Sequence, residues 1–366
     1  MTAQISALES LRAEVPGAPG DALSVAPRTP EEVATVLRHA STEGLTVQVL
    51  GGGTHSGYGN PVSPDVVLST QHLAGVEKWE PDDLTLVVGS GAGVAEVEEM
   101  LADRSQTAVL PERPGAGTIG GVISAGVSGW RRSRLYGTRE RVLEATVVTG
   151  DGRIVRGGGR VVKNVTGYDV PRLVVGAFGS LGVLVSVCLK LWPTPPASAT
   201  IRVESPDVGS RVARPLAVLE DPTGVSVFLW GTDQEVDALV KRLGGDVTEG
   251  LDWPEDPDGA FRWSLRVPPA LVVEAIARLP EDWVFVASHG VGDIRAASEG
   301  LSGAEELRRW AEDAGGALVV TGSPGGGLNG FDPWGLPPPA LEVQRRLIAH
   351  FDPARVINPG RLPAGL

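Results

Sequence analysis

The chain has 366 residues, 42% of them hydrophobic and 21% charged, a balance that belongs to a folded globular protein and, at this length, to two domains rather than one core. Its net charge of -13 sets aside a nucleic-acid partner, whose phosphates require clustered Lys and Arg. A single cysteine, Cys188, excludes an intrachain disulfide, a cysteine-ligated zinc site and a self-contained iron–sulfur cluster, and it suits a reducing cytoplasm.

Taken in chain order, Met1 to Pro16 lacks the basic start and apolar core of a secretory signal. No apolar run reaches membrane-spanning length, so direct insertion is not expected and any membrane association comes through a partner. Thr29-Pro30-Glu31-Glu32 is a helix start, with Thr29 as N-cap and Glu32 closing a capping box; Val33, Val36, Leu37 and Ala40 share a face and Gly44 ends it. A β-branched strand, Thr46 to Leu50, then runs into Gly51-Gly52-Gly53-Thr54. A strand near Leu84 to Val88 and a helix from about Val94 to Leu101 lead to Pro111-Glu112-Arg113-Pro114 and a run of tiny residues, Gly115 to Gly129. Val142 to Thr149 and Arg153 to Val155 form a hairpin through Gly150-Asp151-Gly152, and Gly176 to Gly182 leads into a strand, Val183 to Leu191. Pro193, Pro195 and Pro196 mark a boundary. Beyond it, strands (Val225 to Trp230, Val284 to Ala287, Ala317 to Thr321) alternate with helices (Asp233 to Leu243, Pro269 to Leu279, Gly303 to Ala314), and a last helix runs from Pro339 to near His350.

The glycines after the first strand fit a tight surface turn or, through inward-turned backbone N–H groups, an anion nest suited to a diphosphate. Gly115-Ala116-Gly117-Thr118-Ile119-Gly120 matches the spacing of a dinucleotide fingerprint, but Pro111 and Pro114 break the strand that such a fingerprint requires. The stretch is better read as a second phosphate-facing surface: Gly120, Gly121, Ser124, Ala125, Gly126 and Ser128 offer little side chain against which an extended cofactor lies. Arg131, Arg132 and Arg134 offset diphosphate charge or form a solvated basic turn.

Gly51 to Thr54, Pro114 through Gly121, Tyr136-Gly137, the run from Val161 through Lys163-Asn164 to Asp169, and Gly176 to Val183 occur in the order seen in the vanillyl-alcohol-oxidase, or PCMH-type, FAD-binding family, which the chain resembles. With Arg131-Arg132, Asp332-Pro333-Trp334-Gly335 and Asn358-Pro359-Gly360-Arg361, it resembles more narrowly the smaller flavin subunits of bacterial glycolate oxidases, better called glycolate dehydrogenases, over about residues 25 to 365. The resemblance implies an α+β fold: a two-part FAD-binding domain over 1–196, a smaller α+β cap or substrate domain over 197–345, and a tail, 346–366, returning to the first domain. It implies FAD held by Gly51, Gly52, Gly53, Thr54, His55 and Ser56 on one side, by Pro114, Gly117, Thr118, Gly120, Gly121, Ser124 and Gly126 on the other, and by Gly182 and Val183, with Arg132 nearby. Relatives that bind FAD covalently carry a histidine where Thr54 stands, with His55 one residue later, so non-covalent FAD is expected.

A flavin supplies the redox chemistry, and oxidation of a small 2-hydroxy acid needs besides it a base for the hydroxyl proton and a cation for the carboxylate. His289, at the end of a strand, is a candidate base or a structural histidine, and Arg295 is the nearest candidate clamp. Larger subunits of this family carry a histidine-rich metal site; five scattered histidines make no obvious equivalent. The tryptophans from Trp230 onward belong to a partner surface or to the core. Three readings stand: a flavoenzyme subunit partnered by a larger flavin subunit and an iron–sulfur subunit, a non-catalytic FAD scaffold or relay, and a free-standing sugar or lactone oxidase.

Overall fold

Thr29 starts the first long helix, Pro30–Glu43: its Oγ1 accepts from Glu32 N at 3.2 Å, and Gly44 ends the helix at a φ of 69°. The box closes differently from expectation, because Glu32 Oε2 accepts from Arg28 N at 2.6 Å, one residue before the cap. In this computed structural model residues 6–112, 115, 117–160, 167–207, 212, 214–324 and 328–366 are described, residues 6 and 7 by their backbone alone. Pro114 and the Lys163-Asn164 motif lie outside the described residues. The helix buries Val33, Val36, Leu37 and Ala40 against a parallel sheet of β1 (Leu23–Val25), β2 (Val47–Leu50) and β3 (Val66–Ser69), in the order β1-β3-β2.

A second sheet, antiparallel and five-stranded, follows. Its strands are β4 (Val76–Glu80), β5 (Thr85–Gly89), β7 (Val142–Val148), β8 (Ile154–Gly158) and β9 (Val183–Lys190), ordered β4-β5-β9-β7-β8. A short pair, β6 (Gln106–Thr107) and β10 (Trp192–Pro193), stands beside it. Strands β7 and β8 form the expected hairpin, with the second strand displaced toward residue 158. One stretch corrects the sequence reading. Within the run of tiny residues, Ile119–Ala125 is a helix capped by Thr118, whose Oγ1 accepts from Gly121 N at 3.2 Å. Ile119, Val122 and Ile123 recur at helical spacing and pack into the core over this sheet, which outweighs the poor helix propensity of the adjacent Gly120 and Gly121.

Residues 197–322 build an eight-stranded antiparallel sheet of β11 (Ala197–Val203), β12 (Ala217–Asp221), β13 (Gly224–Gly231), β14 (Asp246–Glu249), β15 (Phe261–Arg266), β16 (Val284–Ser288), β17 (Asp293–Ser298) and β18 (Ala317–Gly322). The order is β14-β11-β13-β12-β16-β17-β15-β18. Helices Asp233–Leu243 and Ala304–Asp313 match expectation within a residue, whereas the expected helix from Pro269 divides into a 3₁₀ turn, Pro269–Leu271, and a helix, Val272–Ala277. Trp263 stacks on Trp283 in the core, so these tryptophans are interior packing.

After helix Leu341–Phe351 the tail returns to the first sheet: Val47 N donates to Val356 O at 2.7 Å and Asn358 N to Val47 O at 2.8 Å. Val356 and Ile357 are buried beside helix Pro30–Glu43. Trp130 and Leu135 pack with Leu216, Phe228 and Trp230, which joins the eight-stranded sheet to the segment that follows the Thr118-capped helix.

Candidate functional site

Strand β2 ends at Leu50 and delivers Gly51, Gly52 and Gly53 to the floor of a groove. Gly53, at φ 71°, turns the chain where a side-chain-bearing residue is strained. The N–H groups of Gly52, Gly53 and Thr54 donate to no acceptor among the described residues. Opposite stand Gly117, Thr118, Gly121 and Ser124, from the start of the capped helix. The two walls nearly touch at their base: a Cβ on Gly51 would run into Thr118 Oγ1, and one on Gly120 would lie 2.6 Å from Ser90 Cβ. These glycines therefore permit wall-to-wall packing as well as approach of a ligand.

The groove continues inward past Ser90, Gly179 and Gly182. Ser90 Oγ is fully buried and has no hydrogen-bond partner among the described residues, an orphan polar atom at this inner end. A Cβ at Gly182 would lie 2.7 Å from Val148 O, so only glycine admits β9 to its place beside β7. Unpaired backbone donors, an orphan hydroxyl and near-absence of side chains fit the extended, diphosphate-bearing FAD that the resemblance implies.

Outward, Thr54, His55 and Ala125 also border a second, open cavity. Its far wall is one face of β15 and β17. Phe261-Arg262-Trp263-Ser264-Leu265-Arg266 alternates, so Trp263 and Leu265 enter the core while Arg262, Ser264 and Arg266 share the opposite face. The register sets Ser264 beside Arg295 and Arg266 beside Asp293. Arg295 is held three ways: Nη1 to Asp256 Oδ1 at 2.6 Å, Nη2 to Ser128 O at 2.7 Å, and its guanidinium 3.7 Å over the Trp130 ring. Asp293 pairs with Arg132 at 3.4 Å and lies 3.9 Å from Arg266. Arg262 makes no ion pair among the described residues. Burial pushes the pKa of Tyr58, on the same cavity, upward, against the lowering influence of Arg266.

The groove brings together Gly51 to Ser56, Gly117, Thr118, Gly120, Gly121, Ser124 and Gly182, while Gly126 borders the cavity and Val183 is buried in β9. Arg132 sits on the outer cavity, not in the glycine groove. Arg131 is turned away altogether, ion-paired with Glu112 at 2.8 Å, and Arg134 Nη1 donates to Trp230 O at 2.9 Å. His289 Nε2 lies 2.7 Å from Glu220 Oε2, and His289 is not among the residues lining the cavity. Sequence reasoning missed Tyr58, Ser90, Arg262, Arg266, Asp256, Asp293, Asn358 and Arg361. The alternation in β15 was available as a signal for Arg262 and Arg266, and Asn358 and Arg361 stand in the Asn358-Pro359-Gly360-Arg361 motif; nothing local marks Ser90.

The FAD binding domain family matches residues 22–158. Glycolate oxidase subunit GlcE of Escherichia coli (strain K12) is 28% identical, over 90% of this chain and 96% of its own length. D-lactate dehydrogenase of Archaeoglobus fulgidus is 34% identical over 46% of this chain, and glycolate oxidase subunit GlcD of Bacillus subtilis 32% identical over 48%; the match spans 38% of each of those longer proteins. Among solved structures, an alkyldihydroxyacetonephosphate synthase shares the fold at a TM-score of 0.63 and 15% identity, over 92% of this chain and 75% of its own.

Proposed function

We propose that this chain, an FAD-binding oxidoreductase related to glycolate oxidase subunits and to D-lactate and D-2-hydroxyglutarate dehydrogenases, oxidises a small 2-hydroxy acid as one subunit of a larger assembly. The observation that carries the reading is electrostatic. In a chain of net charge -13, Arg132, Arg262, Arg266 and Arg295 converge on one cavity against only Asp256 and Asp293, which favours a small anion there.

Residues 1–196 with the returning tail 346–366 are assigned to an FAD-binding unit of the PCMH type, and residues 197–345 to a cap. Gly51 to Ser56, Gly117, Thr118, Gly120, Gly121, Ser124, Gly126, Gly182 and Val183 would hold FAD, and Pro114 belongs to the same set by resemblance. Thr54 stands where covalent relatives carry histidine, so the flavin is held non-covalently and acid precipitation of the protein releases it. When bound, FAD supplies the two-electron acceptor. Arg262, without a carboxylate partner among the described residues, binds the substrate carboxylate, with Arg132 on the same cavity; Arg295, already tied to Asp256 and Trp130, shapes the wall. His55 borders groove and cavity alike and takes the hydroxyl proton, a role for which His289, which does not line the cavity, is less well situated.

Cys188, buried and with its thiol pKa pushed up to about 11 by burial, neither ligates a cluster nor exchanges electrons. Electrons therefore leave for a partner, for which a larger flavin subunit and an iron–sulfur subunit are the assigned candidates. The test is anaerobic: visible absorbance of the purified chain is followed as glycolate and then D-lactate are added. Bleaching by either acid supports the reading. Bleaching only by dithionite favours an electron relay instead, and a colourless protein that takes up no FAD overturns both.

A further inference from the structure

Most cationic side chains near the candidate site have a carboxylate partner: Arg131 has Glu112, Arg132 has Asp293 and Arg295 has Asp256. Arg361, six residues from the C-terminus as the sequence is numbered, has none among the described residues, although it is 5% exposed. Its Nη2 donates to His55 O at 2.9 Å and Ser56 O at 2.8 Å. Nε and Nη1 donate to no described acceptor, and the side chain lines the same groove as the N–H groups of Gly52, Gly53 and Thr54. Burial alone, with no neighbouring anion to oppose it, pushes the guanidinium pKa down to about 10.

An uncompensated buried cation is among the costliest groups a fold can keep, and it is tolerated where a ligand completes the pair. A nest of backbone donors and a guanidinium fork lining one groove select an anion with several oxygens, as a diphosphate has. We infer that Arg361 is the counter-charge of the FAD diphosphate, so that the C-terminal tail completes the cofactor site. The inference rests on the reading that this groove takes FAD. The arginines directly after the helix, Arg131 and Arg134, are spent on Glu112 and on Trp230 O, which leaves the charge to come from the tail.

The tail is held for this task. Arg361 O accepts from Trp334 Nε1 at 2.9 Å and Asn60 N at 3.1 Å, and Trp334 stacks on Tyr58 with Phe178 at their edges. Asn358 bridges the same walls, accepting from Val49 N at 3.1 Å and donating to Phe178 O at 2.7 Å.

The full chain, stripped of flavin, is titrated with FAD, ADP and riboflavin at low and high salt. In Arg361→Gln, FAD and ADP are expected to bind about 10- to 100-fold more weakly while riboflavin, which lacks phosphate, changes about 2-fold or less. The salt dependence of FAD binding flattens in that variant and persists in Arg361→Lys, which keeps the charge. Equal weakening of riboflavin, or unchanged FAD binding, overturns the inference and makes Arg361 a structural clip. Should Arg361→Gln fail to fold, Arg361→Lys decides: weaker FAD with unchanged riboflavin supports the inference, and equal losses overturn it. Failure of the unsubstituted chain to bind FAD at all overturns the cofactor reading itself, a result distinct from either.

Discussion

Two residues decide how closely the walls of the groove approach. Gly51 faces Thr118 with no room for a Cβ, so Gly51→Ala is expected to cost about 1–3 kcal/mol in urea unfolding and to weaken FAD binding. Thr118→Ala alone loses the helix cap, about 1 kcal/mol, but it also removes the clashing Oγ1. The double variant should therefore lose less than the sum of the singles; strict additivity would mean that the two side chains do not meet. In the returning tail, Asp352 is buried at 1% exposure, and burial raises its pKa against the N–H groups of Ile357, Val356 and Arg355 that lower it. The sign follows directly. A raised carboxylate pKa means that the folded state holds its proton to higher pH than the unfolded chain, so this contribution to stability falls as pH rises from the unfolded value to the folded one. Asp352→Asn keeps an acceptor for Ile357 N and removes the titration. The stability difference, variant minus parent, should grow between those two values and level off above them; a difference flat with pH refutes it.

At the scale of the element, the candidate substrate wall is a consequence of period-two alternation in two adjacent strands. The apolar half of β15 locks Trp263 against Trp283 and Ser298, and this anchors the polar half. The arginines on that face differ by their pairing. Arg262→Ala should weaken the bound anion about 10- to 100-fold with stability almost unchanged, because no ion pair among the described residues is broken. Arg295→Ala should instead destabilise the fold by about 2 kcal/mol, since it breaks the ion pair with Asp256 and uncovers Trp130. Ligand titration and urea unfolding of both variants separate the two roles, and a destabilised Arg262→Ala would contradict the assignment. The alternation was legible in the residues, yet the three polar positions in six hid the strand from a reading that sought continuous apolar runs.

Across the molecule, segments far apart in sequence close one site. The three-stranded sheet gains its last backbone partner from residues 356–358, about three hundred positions after β2, and the groove gains Asn358 and Arg361 from the same return. Removing residues 352–366 exposes the edge of β2 and takes Val356 and Ile357 from the core. The expected loss is about 3–6 kcal/mol, with flavin retention abolished, as read by thermal unfolding and by absorbance of the purified protein. A truncated chain that stays yellow and equally stable would show the tail to be dispensable. Among the described residues no helix is long and apolar enough to cross a membrane.

What the sequence determined alone was local. Capped helices, the β2–glycine junction and the β7–β8 hairpin rest on short spans, where cap chemistry, periodicity and glycine spacing act between near neighbours, while the expectation of FAD came from the resemblance. The helix at Ile119–Ala125 escaped because burial of three apolar side chains outweighed two glycines, and that burial exists only once the sheet is in place. The same holds for function. Arg131 and Arg134 were the arginines next to the glycines in sequence, but tertiary pairing turned them to Glu112 and a carbonyl and brought Arg361 to the groove instead. Charge compensation is settled by which groups meet in three dimensions, and sequence proximity carries no information about that.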